Sequence, residues 1–136
     1  MNRIGLELLS EENSLDVYSF EKENHDAYMH LIRDSQGMMV GRINLSILGS
    51  DRKTAELGYR IGENVTNLGY ASEAVKLVLD KAFHTYGLNR IIAGTATDNI
   101  ASKRVLLKNG FTFSRIIEND LQMNNEWVHT EIFDLI

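Results

Sequence analysis

Apolar and polar residues alternate along the first half of the chain with the two-residue period of half-buried β-strands. The segment Ser35-Gln36-Gly37 interrupts this alternation with turn-forming residues and predicts a hairpin. Between the first two strands, Glu11–Asn24 predicts a polar helix with few apolar members. The predicted strands are Ile4–Leu9, Ala27–Asp34, Met38–Leu48 and Thr54–Ile61.

The clearest periodic signal comes next and has the spacing of an amphipathic helix. Apolar residues recur there at i, i+3, i+4 and i+7, and Gly87 is placed to end the helix in the left-handed region. The apolar stripe consists of Ala71, Ala74, Val75, Val78, Leu79, Ala82, Phe83 and Tyr86.

The last third of the chain predicts a central strand, a second helix and a closing antiparallel pair. The strand is Ile91–Ala96, and Asp98 or Asn99 can cap the helix that stops at Gly110. The pair Phe111–Ile117 and Trp127–Leu135 is predicted to close around a turn over Asn119–Asn125. The element order β-α-β-β-β-α-β-α-β-β predicts one α+β domain over residues 1–136. In that domain crossover helices pack on a mixed sheet.

Composition and charge narrow the possible chemistry. The 136 residues carry a net charge of −5, with no basic cluster that would bind nucleic acid. The chain has no cysteine, which excludes disulfides, thiolate metal sites and an acyl-cysteine intermediate. Its four histidines show no ligand spacing for a metal. The apolar runs are too short to span a membrane, and the start lacks a signal-peptide core, so we expect a cytoplasmic location.

The loop from Gly62 to Ser72 runs from a predicted strand directly into the amphipathic helix. The first turn of a helix has unpaired N–H groups and a partial positive charge, so it can bind an anion. Gly69 and the small Ala71 would allow the backbone to approach such a ligand closely. The loop residues alone favour a glycine that merely shapes the strand-to-helix turn. No Gly-Lys-Ser/Thr follows it, which disfavours a P-loop nucleotide hydrolase.

Three segments, in this order and at this spacing, resemble the GNAT superfamily of N-acetyltransferases. They are Ala55-Glu56-Leu57-Gly58-Tyr59-Arg60-Ile61, Leu68-Gly69-Tyr70-Ala71-Ser72-Glu73-Ala74 and Asp98-Asn99-Ile100-Ala101-Ser102-Lys103-Arg104-Val105-Leu106, followed by Lys108-Asn109-Gly110-Phe111. Within the superfamily, they are similar to the ribosomal-protein N-terminal acetyltransferase branch. The resemblance covers about the last two-thirds of the chain, and the first third is shorter than the family's. It implies the GNAT fold, a mostly antiparallel mixed sheet of six to seven strands flanked by helices.

The resemblance also implies how the co-substrate acetyl-CoA binds. The family's pyrophosphate loop, Arg/Gln-x-x-Gly-x-Gly/Ala, corresponds here to Thr66, Gly69 and Ala71, and Leu68 stands where a basic residue is frequent. Backbone amides would therefore carry most of the phosphate binding. The backbone of Ile61 would bind the pantetheine arm at the splayed end of its strand. The full set of predicted cofactor-binding residues is Ile61, Thr66, Asn67, Leu68, Gly69, Tyr70, Ala71, Ser72, Asn99 and Ser102.

Two residues are predicted to be catalytic. Many GNAT members have a tyrosine at the position of Leu106 that protonates the departing thiolate, and Ser102 is the predicted replacement in this chain. Ser102 lies one helical turn after Asn99 and could instead simply make room for the cofactor. Glu56 is the candidate general base because its strand leads to the end at Ile61 that is expected to diverge from the neighbouring strand. Glu56 could instead be an exposed residue that pairs across strands.

The predicted function is direct acetyl transfer from acetyl-CoA to a primary amine, either a protein amino terminus or a small molecule. No metal is expected to take part. The competing prediction is a non-catalytic acyl-CoA-binding module, because Thr66, Leu68 and Leu106 all depart from the family pattern. The acceptor's identity and the oligomeric state, monomer or homodimer, stay open.

Overall fold

A computed structural model describes residues 3–9, 27–62 and 69–136, without the side chains of Leu121 and Met123. These residues form one seven-stranded sheet and two helices. The strands are β1 Ile4–Leu8, β2 Ala27–Asp34, β3 Met39–Leu48, β4 Thr54–Ile61, β5 Arg90–Ala96, β6 Thr112–Met123 and β7 Glu126–Leu135. The helices are α1 Tyr70–His84 and α2 Ile100–Lys108. The helix predicted over Glu11–Asn24 lies outside the described residues, and the single domain over residues 1–136 stays a prediction.

The sheet order is β1-β2-β3-β4-β5-β7-β6, and every neighbouring pair is antiparallel except β4 and β5. The first four strands form a meander in which each strand pairs with the next along the chain. The predicted bounds of β2 and β4, Ala27–Asp34 and Thr54–Ile61, agree with the structure. The mixed α+β sheet of the sequence prediction is confirmed.

The main core lies between the sheet and the apolar stripe of α1. Five residues of that stripe are buried, namely Ala74, Val75, Val78, Leu79 and Ala82. They pack on Ile43, Leu45, Ala55 and Leu57 from β3 and β4, which are at most 5% exposed. After α1 the chain turns at Gly87, whose φ of 72° is the left-handed conformation that the sequence predicts there. Helix α1, which directly follows the loop predicted to bind an anion, is therefore packed against the middle of the sheet.

The parallel pair β4 and β5 is short. Its register has three residue pairs, Thr54↔Arg90, Ala55↔Ile91 and Glu56↔Ile92. Past Glu56 the two strands diverge, while β4 continues to pair with β3 as far as Ile61. This divergence opens the sheet beside the first turn of α1.

The closing hairpin differs from its prediction. The turn predicted over Asn119–Asn125 is wrong, because β6 continues to Met123 and the hairpin reverses at Asn124 and Asn125. Both asparagines have positive φ, 52° and 66°, as tight two-residue hairpin turns require. Asn119 also has a positive φ of 52° and lies at a shift in the strand register. Asparagine tolerates this conformation, so the same residue type marks both an irregularity within a strand and a turn.

Candidate active site

The opening between β4 and β5 holds a cavity of about 520 Å³. The second half of β4 and the end of β5 line its two sides, and Ala71 from α1 lines it at the helix start. One face of α2 completes the wall with Asn99, Ser102 and Leu106. The cavity thus brings together four of the predicted site residues, Ile61, Ala71, Asn99 and Ser102.

Ile61 reaches this cavity at the end of β4, where β3 approaches unusually closely. Gly41 of β3 pairs with Ile61, and a Cβ atom on Gly41 would lie 2.4 Å from the carbonyl oxygen of Arg60. A side chain at position 41 would therefore collide with the backbone of β4. The next amide, Gly62 N, donates to the carbonyl oxygen of Val40 at 2.8 Å and holds the strand end in place.

The loop from Gly62 and the first turn of α1, which the sequence predicts to bind an anion and which we call the anion cradle, are partly described. Gly69 is the N-cap of α1 with φ 80° and ψ 8°, a left-handed conformation, and it makes no side-chain cap. Tyr70, Ala71 and Ser72 form the first turn of the helix, so their amides point out of its N-terminal end. Asn109 Nδ2 donates to Ser72 Oγ at 3.2 Å, which ties the end of α2 to this turn. The predicted site residues Thr66, Asn67 and Leu68 lie outside the described residues.

A second cavity of about 670 Å³ also borders this turn. Gly69 and Ser72 line it, together with the basic side chains of Arg3, Lys76 and Lys108 and the carboxylate of Glu73. The first turn of α1 therefore lines two cavities, one in the sheet opening and one with three basic residues. An extended ligand with an anionic middle fits this arrangement, since the helix N-terminus lies at the junction.

Ser102 is held by two contacts at the start of α2. Its amide donates to Asn99 Oδ1 at 3.0 Å, which is the predicted helix cap. Its hydroxyl lies 3.2 Å from the hydroxyl of Tyr59 on β4. Both side chains line the 520 Å³ cavity, beside the apolar and buried Leu106. A pair of hydroxyl groups therefore faces the sheet opening.

Tyr59 is the site residue that the sequence analysis missed. Burial raises the pKa of Tyr59 above 10.0, and the hydrogen bond with Ser102 partly opposes that rise. The hydroxyl consequently stays protonated through the physiological range. The alternation of β4 places Tyr59 on the same face as Leu57 and Ile61. A tyrosine hydroxyl on this otherwise apolar face is the sequence feature that could have identified it as a site residue.

Glu56 lies apart from this group. It is exposed, on the face of β4 opposite Leu57 and Tyr59, and it does not line the cavity. It occupies the last paired position before the strands diverge, opposite Ser46 on β3 and Ile92 on β5. Its role as a general base stays a prediction.

Three further points concern Lys103, metal binding and membrane spans. Lys103 on α2 forms an ion pair with Glu131 at 2.9 Å. Within residues 3–9, 27–62 and 69–136, no group of His, Asp and Glu could hold a metal ion. In the same part of the chain, no helix is both long and apolar enough to cross a membrane.

Comparison with known proteins identifies the family. The acetyltransferase (GNAT) domain matches residues 6–112. The probable N-acetyltransferase YjcK of Bacillus subtilis is 29% identical over 116 residues, which is 85% of this chain and 64% of that protein. The N-acetyltransferase YoaA of the same organism is 33% identical over 98 residues, which is 72% of this chain and 55% of that protein. The chain thus spans 55% to 64% of the length of these relatives.

A solved structure shares the fold. Spermidine N-acetyltransferase from Vibrio cholerae, in complex with CoA and spermine, superposes with a TM-score of 0.85. The match covers 98% of this chain and 95% of that one, at 14% sequence identity. At so low an identity the likeness concerns the fold alone, and the domain match carries the assignment. The chain belongs to the GNAT acetyltransferase family.

Proposed function

We propose that this chain is an acetyl-CoA-dependent N-acetyltransferase that moves an acetyl group directly to a primary amine. The observation that carries the proposal is the opening between β4 and β5. It holds a cavity of about 520 Å³ between the start of α1 and the hydroxyl pair of Ser102 and Tyr59. GNAT acetyltransferases use acetyl-CoA, and the described residues fit that ligand.

The fit rests on two features. Gly69 lacks a Cβ where the backbone turns into α1, so the helix amides can approach a pyrophosphate closely. The unpaired edge of β4 past Glu56 presents backbone groups to the sheet opening, where an amide-containing pantetheine arm can bind as a further strand would. In this placement Gly69, Tyr70, Ala71 and Ser72 would hold the phosphates, and Ile61 would bind near the thioester.

The reaction forms a C–N bond between the amine and the acetyl carbon and breaks the C–S bond of the thioester. The carbonyl oxygen gains negative charge on the way, and a backbone N–H near Ile61 would stabilise it. The sulfur leaves as a thiolate, which resembles a cysteine thiolate with a pKa of about 8.5. Ser102 would protonate the thiolate while Tyr59 passes its own proton to Ser102 through their 3.2 Å contact, and solvent water would then reprotonate Tyr59.

The amine must lose a proton to attack and to complete the reaction. An α-amine with a pKa of about 8 is partly neutral at physiological pH, whereas a lysine amine near 10.4 needs a stronger base. We propose Glu56 for this role because it lies at the divergence point of β4 and β5, on the face opposite the helices. That face would then receive the acceptor, while acetyl-CoA approaches from the helix side.

The acceptor is proposed to be either a peptide amino terminus or a small polyamine. The net charge of −5 favours a cationic acceptor in general terms. A relative 24% identical over 95 residues, from Escherichia coli, is named ribosomal-protein-serine acetyltransferase. The Vibrio cholerae enzyme of the same fold is named for spermidine. The ribosomal-protein branch suggested by the sequence motifs belongs to this proposal.

The test combines binding and turnover. Acetyl-CoA affinity is measured by calorimetry, and release of free coenzyme A thiol is followed with serine-initiated peptides, spermidine and a reaction without amine. Thiol release that depends on an amine supports the proposed activity, and the most reactive amine names the acceptor class. Tight binding with no amine-dependent release would instead support a non-catalytic acyl-CoA-binding module, the function that the apolar Leu106 favours.

A further inference from the structure

Arg3 lies over the start of α1, although it precedes β1 at the other end of the sequence. Its guanidinium carbon stands 5.0 Å from the centre of the Tyr70 ring, and its Nε forms an ion pair with Glu73. Its Nη2 atom lies 3.1 Å from where a Cβ atom of Gly69 would stand. The guanidinium thus contacts three residues of the cradle at once.

The position of Arg3 follows from the topology of the sheet. β1 is an edge strand, and Ile4 is only 4% exposed because it packs in the main core with residues of α1. The residue before Ile4 is therefore held near the helix, and its long side chain reaches the first turn. The Arg3 side chain is about half exposed, so a ligand can reach it.

The ion pair between Arg3 and Glu73 changes the charge at the start of α1. Glu73 is the acidic residue in the first turn of α1, where a carboxylate favours the helix dipole but opposes a bound anion. Its Oε2 atom is buried without a hydrogen-bond partner within the described residues. An arginine beside it cancels the repulsion and still has further N–H groups, because a guanidinium has five donors.

The loop over residues 62–72 contains no lysine or arginine. Thr66 and Leu68 occupy its positions where the family pattern places an arginine or glutamine and a basic residue. The protein as a whole is negative, with a net charge of −5. A dianionic pyrophosphate at the helix start therefore needs a local cation. Arg3 is the cation that contacts Gly69, while Lys76 and Lys108 line the same cavity.

We propose that Arg3 binds the pyrophosphate of acetyl-CoA and supplies the cationic contact that the loop lacks. The inference rests on the proposed function, since it requires coenzyme A to bind. It makes the residue before strand β1, which the sequence motifs do not include, part of the cofactor site. The alternative is a purely structural contact in which Arg3 only joins β1 to α1 and neutralises Glu73.

The test measures dissociation constants of coenzyme A, 3′-dephospho-coenzyme A and pantetheine for the full chain and for Arg3→Gln. Arg3→Gln should weaken both phosphate-containing ligands about tenfold, which corresponds to one charge-assisted hydrogen bond of about 1.4 kcal/mol. Pantetheine, followed by NMR titration, should change less than about twofold, because it has no pyrophosphate. The loss of affinity should be smaller at high salt, since the Arg3 side chain is half exposed.

The matched control is Arg33→Gln. Arg33 on β2 forms an exposed ion pair with Glu7 on β1 at 2.9 Å, but it lines neither of the two cavities. This variant should bind all three ligands like the unmodified chain. Thermal unfolding of both variants reports any loss of β1 packing separately from the binding measurements.

A double variant separates phosphate contact from neutralisation of Glu73. Adding Arg3→Gln to Glu73→Gln should still weaken coenzyme A about tenfold if Arg3 contacts the phosphates. A change below about twofold would overturn the proposal, and so would an equal loss for pantetheine or a loss confined to the ligand with a 3′-phosphate. If the unmodified chain binds no coenzyme A, the proposed function itself fails, and that outcome is distinct from unchanged binding by Arg3→Gln.

Discussion

Ser102 and Tyr59 lie on different elements, and their hydroxyl groups meet only when α2 packs beside the opening of the sheet. Ser102→Ala should lower kcat by about 10²- to 10⁴-fold, because a positioned proton donor contributes that much, and should leave acetyl-CoA affinity nearly unchanged. Tyr59→Phe should also lower kcat. The double variant should be little slower than Ser102→Ala, because the proton passes through both groups.

Steady-state kinetics at saturating acceptor, beside calorimetry, check this prediction. Tyr28→Phe is the control, since it removes a tyrosine hydroxyl away from the cavity and keeps the ring stacked on Tyr86 at 3.8 Å. A normal kcat in Ser102→Ala would remove that residue from the mechanism. A packing role predicts the opposite result, with weaker cofactor binding and a preserved kcat.

Gly69 and Gly87 offer a second comparison between single residues. Both have left-handed φ, 80° and 72°, so an alanine costs about 1–2 kcal/mol of stability at either position. A Cβ at Gly87 meets nothing within 4 Å, whereas one at Gly69 faces the guanidinium of Arg3. We expect Gly69→Ala to weaken acetyl-CoA binding and Gly87→Ala to leave it intact, as measured by calorimetry on folded protein. Equal affinities would place the cradle elsewhere.

These residues also show how far the sequence alone reaches. Ser102 could be predicted because helical spacing places it one turn after Asn99, and the cap contact between them confirms that local geometry. Tyr59 could not be assigned a partner, because it is 43 residues away from Ser102 and only the packing of α2 sets their distance. Arg3 is 70 residues from Glu73 and was missed for the same reason.

At the scale of elements, the end of β4 depends on its neighbour β3. Gly41→Ala would place a methyl group 2.4 Å from the carbonyl oxygen of Arg60 and 3.1 Å from the Cα of Ile61. We expect the strands to separate there, which should lower the unfolding free energy and weaken binding of the pantetheine arm. Because this contact is with backbone, side-chain rotation cannot relieve it.

Urea unfolding and calorimetry measure the two effects. Gly5→Ala in β1 is the matched control, because a Cβ there meets nothing within 4 Å. It should leave the stability and the affinity close to those of the unmodified chain. If Gly41→Ala binds acetyl-CoA normally, the position of Ile61 does not depend on the close approach of β3.

Elements with strong periodicity were predictable, and their irregular ends were not. The apolar stripe of α1 determines which face of the helix is buried, and alternation along β4 places Ala55 and Leu57 in the core. The long hairpin was placed wrongly because Asn119, Asn124 and Asn125 all favour left-handed backbone. Which of them forms the turn depends on pairing with β7, a non-local contact that local sequence does not encode.

At the scale of the whole molecule, His30 joins three parts of the fold. It is 1% exposed on β2, with Nδ1 3.1 Å from the carbonyl oxygen of Ile43 on β3 and Nε2 2.7 Å from the hydroxyl of Tyr86 after α1. Burial lowers the pKa of His30 below 6.5, the hydrogen bond to Ile43 opposes this, and the charge of Lys81 adds to the lowering. The neutral ring donates to Ile43 and accepts from Tyr86.

The lowered pKa of His30 makes stability depend on pH. Above pH 6.5 the ring is neutral in both folded and unfolded chains, so its contribution is fully present. As the pH falls below 6.5, the unfolded chain binds the proton first, and the unfolding free energy decreases until the folded pKa is reached. His30→Gln should flatten this decrease, measured by urea unfolding between about pH 7.5 and 5.5. His84→Gln, at an exposed site, should keep it; an unchanged slope in His30→Gln would contradict the assignment.

The short parallel pairing has a consequence beyond shaping a cavity. Three residue pairs join the meander of β1 to β4 with the remainder of the sheet. A ligand bound in the opening would contact both the β1–β4 meander and the remaining strands. Its binding free energy would therefore add to the free energy of unfolding. Such linkage supplies about 2.7 kcal/mol when the ligand is at a hundred times its dissociation constant. If acetyl-CoA binds as proposed, adding it should lengthen the time for which the chain survives a protease.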